Sequence, residues 1–381
     1  MKIAYVTTYD ARDVRNWSGL ARYIADSLRD QSLALHYVGP LHEKYAWLFK
    51  AKKGFCRIVH RKRYLPDRAP AILKGYARQV AENLSGCQVD AVFSPGTIPI
   101  AYLDCRTPVA FWTDATFSRM VDFYPSFTNL HEDSVKEGMA MERAALERCR
   151  LAIYSSEWAA RSAIDDYQTH PSKVKVVPFG ANIECNRTID DIHRLISHRP
   201  PDRCKLLFLG VDWDRKGGDQ ALAVAEGLNA AGLPTELTIV GCHPPASRRL
   251  PDHVRVIGFV SKSSAQGDRT ISSILSGSHF LILPSSAECT PVVFSEANSF
   301  GVPSLTTNVG GIPTVINDGV NGKMFGAGFS VDDCVGYVLS LMNDYDRYKD
   351  LAISSFREYE TRLNWRVAAK RVKRMLEEIV S

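Results

Sequence analysis

Two glutamates eight positions apart, Glu288 and Glu296, stand in the segment 283–303, LPSSAECTPVVFSEANSFGVP. An apolar run that reads as a strand ends at Leu283, and a helical pattern opens near Pro291. Thr290 suits the N-cap position and proline suits the first helical residue. The first N–H groups of such a helix, those of Val292, Val293 and Phe294, have no acceptor inside it and favour an anion such as a pyrophosphate. Glu296 falls about one and a half turns in, where a carboxylate can accept hydrogen bonds from ribose hydroxyls or lie on a solvated face. Glu288 precedes the first turn, near the group attached to such a phosphate, or simply complements the helix dipole.

A second loop, Gly210–Gly218 (GVDWDRKGG), also follows an apolar run. Lys216 supplies a mobile point charge for phosphate, and Gly217-Gly218 allows close approach of backbone. Arg215 either adds to that charge or faces solvent. Asp212-Trp213-Asp214 has the D-x-D form of a metal-binding pair, but Asp344-Tyr345-Asp346 has it too, so the pattern discriminates little. With a lysine and a helix dipole available for a leaving phosphate, no metal is expected. In the first half of the chain, the run 107–113 ends at Asp114. There an acid faces the ligand crevice of a doubly wound sheet, or caps a turn.

The elements that must position these residues follow one plan twice. Strand-like runs at 2–9, 33–39, 89–94, 107–113, 151–155 and 173–178 alternate with helical patterns at 20–28, 68–84, 132–149 and 157–167. A second series starts at 205–210 and continues at 236–241, 254–259, 279–283 and 303–307, with a helix expected over 219–231. Such alternation implies βαβ units and parallel sheets, hence two Rossmann-like, doubly wound α/β domains facing across a cleft. The polar stretch 186–202, with Pro200-Pro201 near its end, reads as the linker, and 348–360 and 365–379 read as helices.

The ordered motifs resemble those of the retaining glycosyltransferases of family 4, which have the GT-B fold. The family's P-S-x-x-E-x7-E-A, G-x-P, G-G-x-P and G-x-x-G stand here as Pro284-Ser285, Glu288, Glu296-Ala297, Gly301 and Pro303, Gly310-Gly311 and Pro313, and Gly319 and Gly322. Gly19, Val177-Pro178-Phe179-Gly180 and Lys216-Gly217 extend the resemblance through most of the chain. It implies an acceptor-binding domain over 1–185, with 362–381 returning to it, and a donor-binding domain over 203–361. It also implies that Glu288, Asp114 and Lys216 serve the reaction, while Gly19, Arg215, Lys216, Thr290, Val292, Val293 and Glu296 bind the donor. Three departures stand out. Val211 replaces the arginine that follows the family's first glycine, Cys289-Thr290-Pro291 replaces its G-F-G, and Thr314 stands where a glutamate is usual.

The 381 residues are 45% hydrophobic and 23% charged, as in an ordinary folded chain, which excludes disordered, collagenous and coiled-coil classes. No apolar run approaches the ~18 residues of a membrane span, and the N-terminus lacks a signal-peptide core, so a cytoplasmic protein is expected. Nine scattered cysteines form neither a zinc pattern nor a disulfide framework. The formal net charge of +5 resides in residues 1–202; segment 44–78 alone carries eleven bases and one acid, Asp67. Tyr45, Trp47, Phe49, Phe55 and Tyr64 are interleaved with them. Segment 44–78 reads either as a solvated surface or as one that meets anionic lipid, placing the protein on the inner face of the membrane. Nucleic acid is not an expected partner.

The expected function is transfer of a hexose from a UDP- or GDP-sugar to a saccharide or lipid-linked saccharide, as in cell-envelope or polysaccharide synthesis. No cofactor beyond that donor is expected. A non-catalytic sugar-nucleotide-binding protein and a sugar-nucleotide epimerase are the alternatives. A nicotinamide dehydrogenase is excluded, because no G-x-G-x-x-G follows a strand.

Overall fold

Runs such as Val109–Thr113 and Phe280–Leu283 are buried at every position, as strands covered on both faces must be. The computed structural model describes all residues of 1–381 except Tyr45, Arg248 and Ser263. It divides into two units, Met1–Pro178 with Trp365–Ser381, and Phe179–Asn364.

In the first unit, the strands are β1 (Lys2–Val6), β2 (Ala34–Val38), β3 (Ala91–Ser94), β4 (Val109–Thr113), β5 (Leu151–Tyr154) and β6 (Val174–Val176). Its helices are α1 (Leu20–Asp30), α2 (Ala46–Val59), α3 (Pro70–Ser85), α4 (Phe117–Met120), α5 (Glu132–Arg148) and α6 (Glu157–Asp165). The second unit runs through α7 (Ile189–Ser197), β7 (Cys204–Leu209), α8 (Trp213–Lys216), α9 (Gly218–Ala230), β8 (Thr235–Val240), β9 (Val254–Gly258), α10 (Ala265–Gly277) and β10 (Phe280–Leu283). It continues with α11 (Val292–Asn298), β11 (Ser304–Thr307), α12 (Ile312–Val315), β12 (Gly322–Phe325), α13 (Val331–Asn343) and α14 (Tyr345–Arg362). The last helix, α15 (Trp365–Val380), belongs to the first unit. There Trp365 stacks on Tyr23 at 6.2 Å between centroids and meets Trp112 edge-on at 5.7 Å.

Each unit holds a six-stranded parallel sheet, in the orders β2-β1-β3-β4-β5-β6 and β12-β11-β10-β7-β8-β9. The expected pair of doubly wound α/β domains is therefore present. In both sheets the chain winds outward from the first strand, so the strand order reverses beside β1 and beside β7. The gaps between β1 and β3 and between β7 and β10 are the switch points, where loops diverge and leave a crevice at the strand ends.

Segment 186–202 differs from the expected linker. Thr188 and Asp191 form a reciprocal capping box that starts α7, and Ile192 and Ile196, one turn apart, are buried in the second unit's core. Arg199 is buried as well, donating to the carbonyls of Gly301 and Phe300 at 2.7 Å each and to the Tyr348 hydroxyl at 2.8 Å. The segment's polar composition hid these anchors. Helix α2 and strand β12 were likewise not read from the sequence.

Candidate active site

At the β7/β10 switch point, the loops after these two strands bring three charged side chains together. Asp212 caps α8, accepting from the Arg215 N–H at 3.1 Å, so the short helix carries Arg215 and Lys216 in its last turn. Gly217 then leaves the helix at φ +78°, and a Cβ there would lie 2.3 Å from the Pro284 carbonyl oxygen. Only glycine fits this approach of the two loops. From the other loop Glu288, 4% exposed, accepts the Arg215 guanidinium at 2.8 Å and forms an ion pair with Lys216 through the same Oε1. Arg215 also donates to the Ala287 carbonyl at 2.8 Å, and its own carbonyl accepts from the Ser286 N–H at 2.8 Å. Arg215 thus points inward rather than to solvent. The Gly311 N–H donates to the Glu288 carbonyl at 2.9 Å, tying the G-G-x-P loop to the same place.

Helix α11 begins one residue later than expected. Pro291 is its N-cap, and the Thr290 hydroxyl donates to the Cys289 carbonyl at 2.7 Å instead of capping the helix. The Phe294 N–H is taken by the Pro291 carbonyl at 3.2 Å. Val292 and Val293 open the helix, where N–H groups have no intrahelical acceptor.

Glu296 does not lie on a solvated face. It is 1% exposed and forms an ion pair with Lys262, which follows β9. Lys262 escaped the sequence reading, although the argument that picked out Asp114, a charged residue just past a strand's carboxyl end, applies to it equally.

Among the described residues, no group of three or more His, Cys, Asp or Glu side chains is placed to hold a metal ion. Asp212 is engaged with Arg215, and Asp346 with Lys349 at 2.8 Å. The nine cysteines are free thiols.

Asp114 and Gly19 belong to the first unit. Gly19 opens α1 at φ +80°, directly after Trp17 and Ser18, which also have positive φ. The Trp17 indole N–H donates to Asp114 at 3.3 Å. Burial and the Asp114 charge push the Tyr9 hydroxyl up to about 12. Tyr9, Trp17 and Asp114, but not Gly19, line a cavity of about 310 Å³ at the β1/β3 switch point, together with Arg68, Thr97 and Glu142. Arg68, counted in the basic stretch, is instead held between the rings of Phe117 and Phe127, 5.3 and 5.2 Å away, and paired with Asp67.

Residues 190–356 match the family described as "Glycosyl transferases group 1". A D-inositol 3-phosphate glycosyltransferase of Mycolicibacterium paratuberculosis is 25% identical over 197 residues, covering 50% of this chain and 44% of that protein. The chain thus spans less than half the length of this curated relative. Over 100% of the chain, the fold is similar to that of sucrose-phosphate synthase from Thermosynechococcus elongatus, with a TM-score of 0.70, 14% identity and 99% of that chain covered. It is also similar to Anabaena HepE in complex with UDP-glucose, with a TM-score of 0.63, 14% identity, and 99% and 100% of the two chains covered. Both likenesses are of fold. Residues 190–356 are thus similar to glycosyl transferases group 1, and the two parallel sheets are those of the GT-B fold.

Proposed function

We propose that this chain is a retaining glycosyltransferase that moves a hexose from a UDP- or GDP-sugar to an acceptor hydroxyl. The observation that carries the reading is the convergence of Arg215, Lys216 and Glu288 at the β7/β10 switch point. Two cations beside the opening of α11 offer charge-assisted hydrogen bonds to a diphosphate, with the Val292 and Val293 N–H groups adding to them. Glu288 then orients the sugar, Thr290 lies next to it in the same loop, and Glu296 accepts from the ribose hydroxyls. The name of the HepE complex supports a uridine nucleotide as the donor carrier.

In the reaction the bond between the sugar's anomeric carbon and the phosphate oxygen breaks. The acceptor oxygen bonds to that carbon on the same face, and its proton passes to the departing phosphate. Lys216 and Arg215 stabilise the charge that develops there, which is the main electrostatic demand of the step. They supply this charge without a metal. Asp114 and Gly19, in the first unit, serve the substrate side of the reaction.

The surface of α2 supports membrane attachment. Leu48, Phe55 and Val59 form an apolar stripe, and Trp47 and Ile58 are 70% and 79% exposed. Lys50, Lys53 and Arg57 form a parallel basic stripe. Tyr64 is buried and Phe49 half-buried, so they do not join it, and Tyr45 lies outside the described residues. No described helix is long and apolar enough to cross a membrane. This reading places the acceptor among saccharides or lipid-linked saccharides at an anionic inner membrane face.

The test is incubation with UDP-glucose, and separately GDP-mannose, in EDTA and without acceptor, measuring released nucleoside diphosphate. Slow release that is abolished in Glu288→Ala, with the α-anomeric sugar as first product, supports the reading. Binding without release under any acceptor indicates a sugar-nucleotide-binding protein. Release restored only by manganese revives Asp212 and Asp214 as metal ligands.

A further inference from the structure

A second cavity, of about 400 Å³, lies in the first unit at the amino ends of β4 and β5, the end of the sheet opposite the crevice. Asp104, Cys105 and Arg106, from the loop before β4, line it together with Arg148 and Arg150, which flank the turn from α5 into β5. The three guanidinium groups belong to exposed side chains, so a ligand can reach them. None of them forms an ion pair among the described residues, not even with Asp104 in the same lining.

Two of the three are held in place. Arg148 donates through Nε to the Leu103 carbonyl at 3.0 Å, with its guanidinium 6.0 Å from the Tyr102 ring. Arg150 donates through Nη1 to the Ile379 carbonyl at 3.1 Å. Both therefore stand at helix C-termini, those of α5 and α15, where a cation complements the dipole. Each terminus carries only about half a charge, and Arg106 stands at neither. Arg106 has no hydrogen-bond partner among the described residues, and each of the other two keeps N–H donors without one. Like charges gathered around one cavity repel, and an anion between them removes that cost.

We propose that this cavity binds a soluble phosphorylated small molecule, whose phosphate or diphosphate group is held by Arg106, Arg148 and Arg150. Guanidinium forks match phosphate oxygens in pairs, and a diphosphate offers three cations more charge than a carboxylate does. The volume lies within the ~300–1,000 Å³ of small-molecule sites, leaving room for the group that the phosphate carries. The ligand is soluble rather than a lipid headgroup because of where α2 docks. Lys52 of α2 pairs with Asp133 at 2.7 Å, in the first turn of α5, whereas Arg148 ends that helix. The two ends of α5 are about 22 Å apart, so a headgroup at the α2 surface lies out of reach. None of this rests on the transferase reading.

The experiment uses the full chain and inorganic pyrophosphate, and follows maleimide labelling of Cys105 by peptide mass spectrometry. The half-buried Cys105 thiol shares the cavity, so it reports this site and not the donor crevice. Pyrophosphate should slow its labelling saturably at submillimolar concentration and leave the half-buried Cys185, in the second unit, unaffected. Arg106→Gln removes no hydrogen bond or ion pair within the protein, so it spares the fold, and it should raise the midpoint about tenfold. Lys216→Ala should leave that midpoint where it is. Absence of protection, protection reproduced by sodium chloride at equal ionic strength, or a midpoint unmoved by Arg106→Gln overturns the proposal. Protection by phosphatidylglycerol vesicles in place of pyrophosphate also overturns it, assigning the arginines to a membrane surface.

Discussion

The Arg215 guanidinium lies 2.8 Å from the Glu288 carboxylate, though 73 residues separate them in the chain. Lys216 joins the same oxygen, so without a ligand the carboxylate occupies two cations that a diphosphate would need. On the proposed reading, donor binding would be an exchange of partners: the phosphates would take over Lys216 and Arg215, and Glu288 would be released toward the sugar.

The cluster sets the consequence of removing its acid. Glu288→Ala takes from Lys216 and Arg215, with side chains 10% and 15% exposed, the carboxylate they share, although Asp212 still pairs with Arg215. Breaking a buried pair in this way costs about 3–5 kcal/mol. The urea midpoint should fall accordingly, and UDP should recover more stability in the variant than in the parent. An unchanged midpoint would show that the ion pairs contribute nothing.

The buried Glu296 and the half-buried Lys262 form a second ion pair. Lys262→Met should destabilise the protein by roughly 3–5 kcal/mol, and adding Glu296→Gln should restore part of that loss, as a double-mutant cycle would report. The ribose role is tested separately. Glu296→Gln should weaken UDP about tenfold while leaving inorganic pyrophosphate unaffected. Equal losses for both ligands would remove Glu296 from the ribose.

Glu142 predicts a pH dependence. Burial raises its carboxyl from 4.5 to about 7, opposed by Thr97 and Arg68. Tyr154, Tyr167 and Cys149 also face it, each raised first by burial, and stay protonated over this range. An acid whose folded value lies above its unfolded one supports folding fully below the unfolded value, and loses that contribution as pH rises toward the folded one. Relative to Glu142→Gln, the parent should lose roughly 2–3 kcal/mol between pH 5 and 8. Parallel profiles for the two proteins would contradict the shift.

The parts legible in the sequence were those with a local signal. The strands announced themselves by unbroken apolar runs, and the loops after β7 and β10 by glycines and charges just past strand ends. Glu142 carried a signal too, a charge on the period of Met141, Ala145 and Leu146, but helix 132–149 was read only as an element. Lys262 and Arg199 could not be paired from sequence, because their partners lie 34 and about a hundred residues away. The start of α11 moved because Pro291 adopts an extended backbone, with ψ at 96°, and became the cap itself.

Attachment of α2 to anionic lipid should appear as co-sedimentation with vesicles containing phosphatidylglycerol and not with neutral ones. Each exposed base near such a surface contributes about 1 kcal/mol, and salt should weaken the effect because screening shortens the field to ~8 Å at physiological strength. Trp47→Ala with Phe55→Ala should reduce binding further. Equal or absent binding to both vesicle types, at low and high salt, would favour a soluble acceptor.

The central claim, that Lys216 and Arg215 hold the diphosphate of a nucleotide sugar, is tested most directly by calorimetric titration of UDP and GDP into the parent protein and Lys216→Ala. One charge-assisted contact is worth about 1.5–3 kcal/mol, so one of the two nucleotides should bind the parent and lose about ten- to a hundredfold in affinity in the variant. Affinity unchanged by Lys216→Ala, or no binding of either nucleotide to the parent, would contradict it.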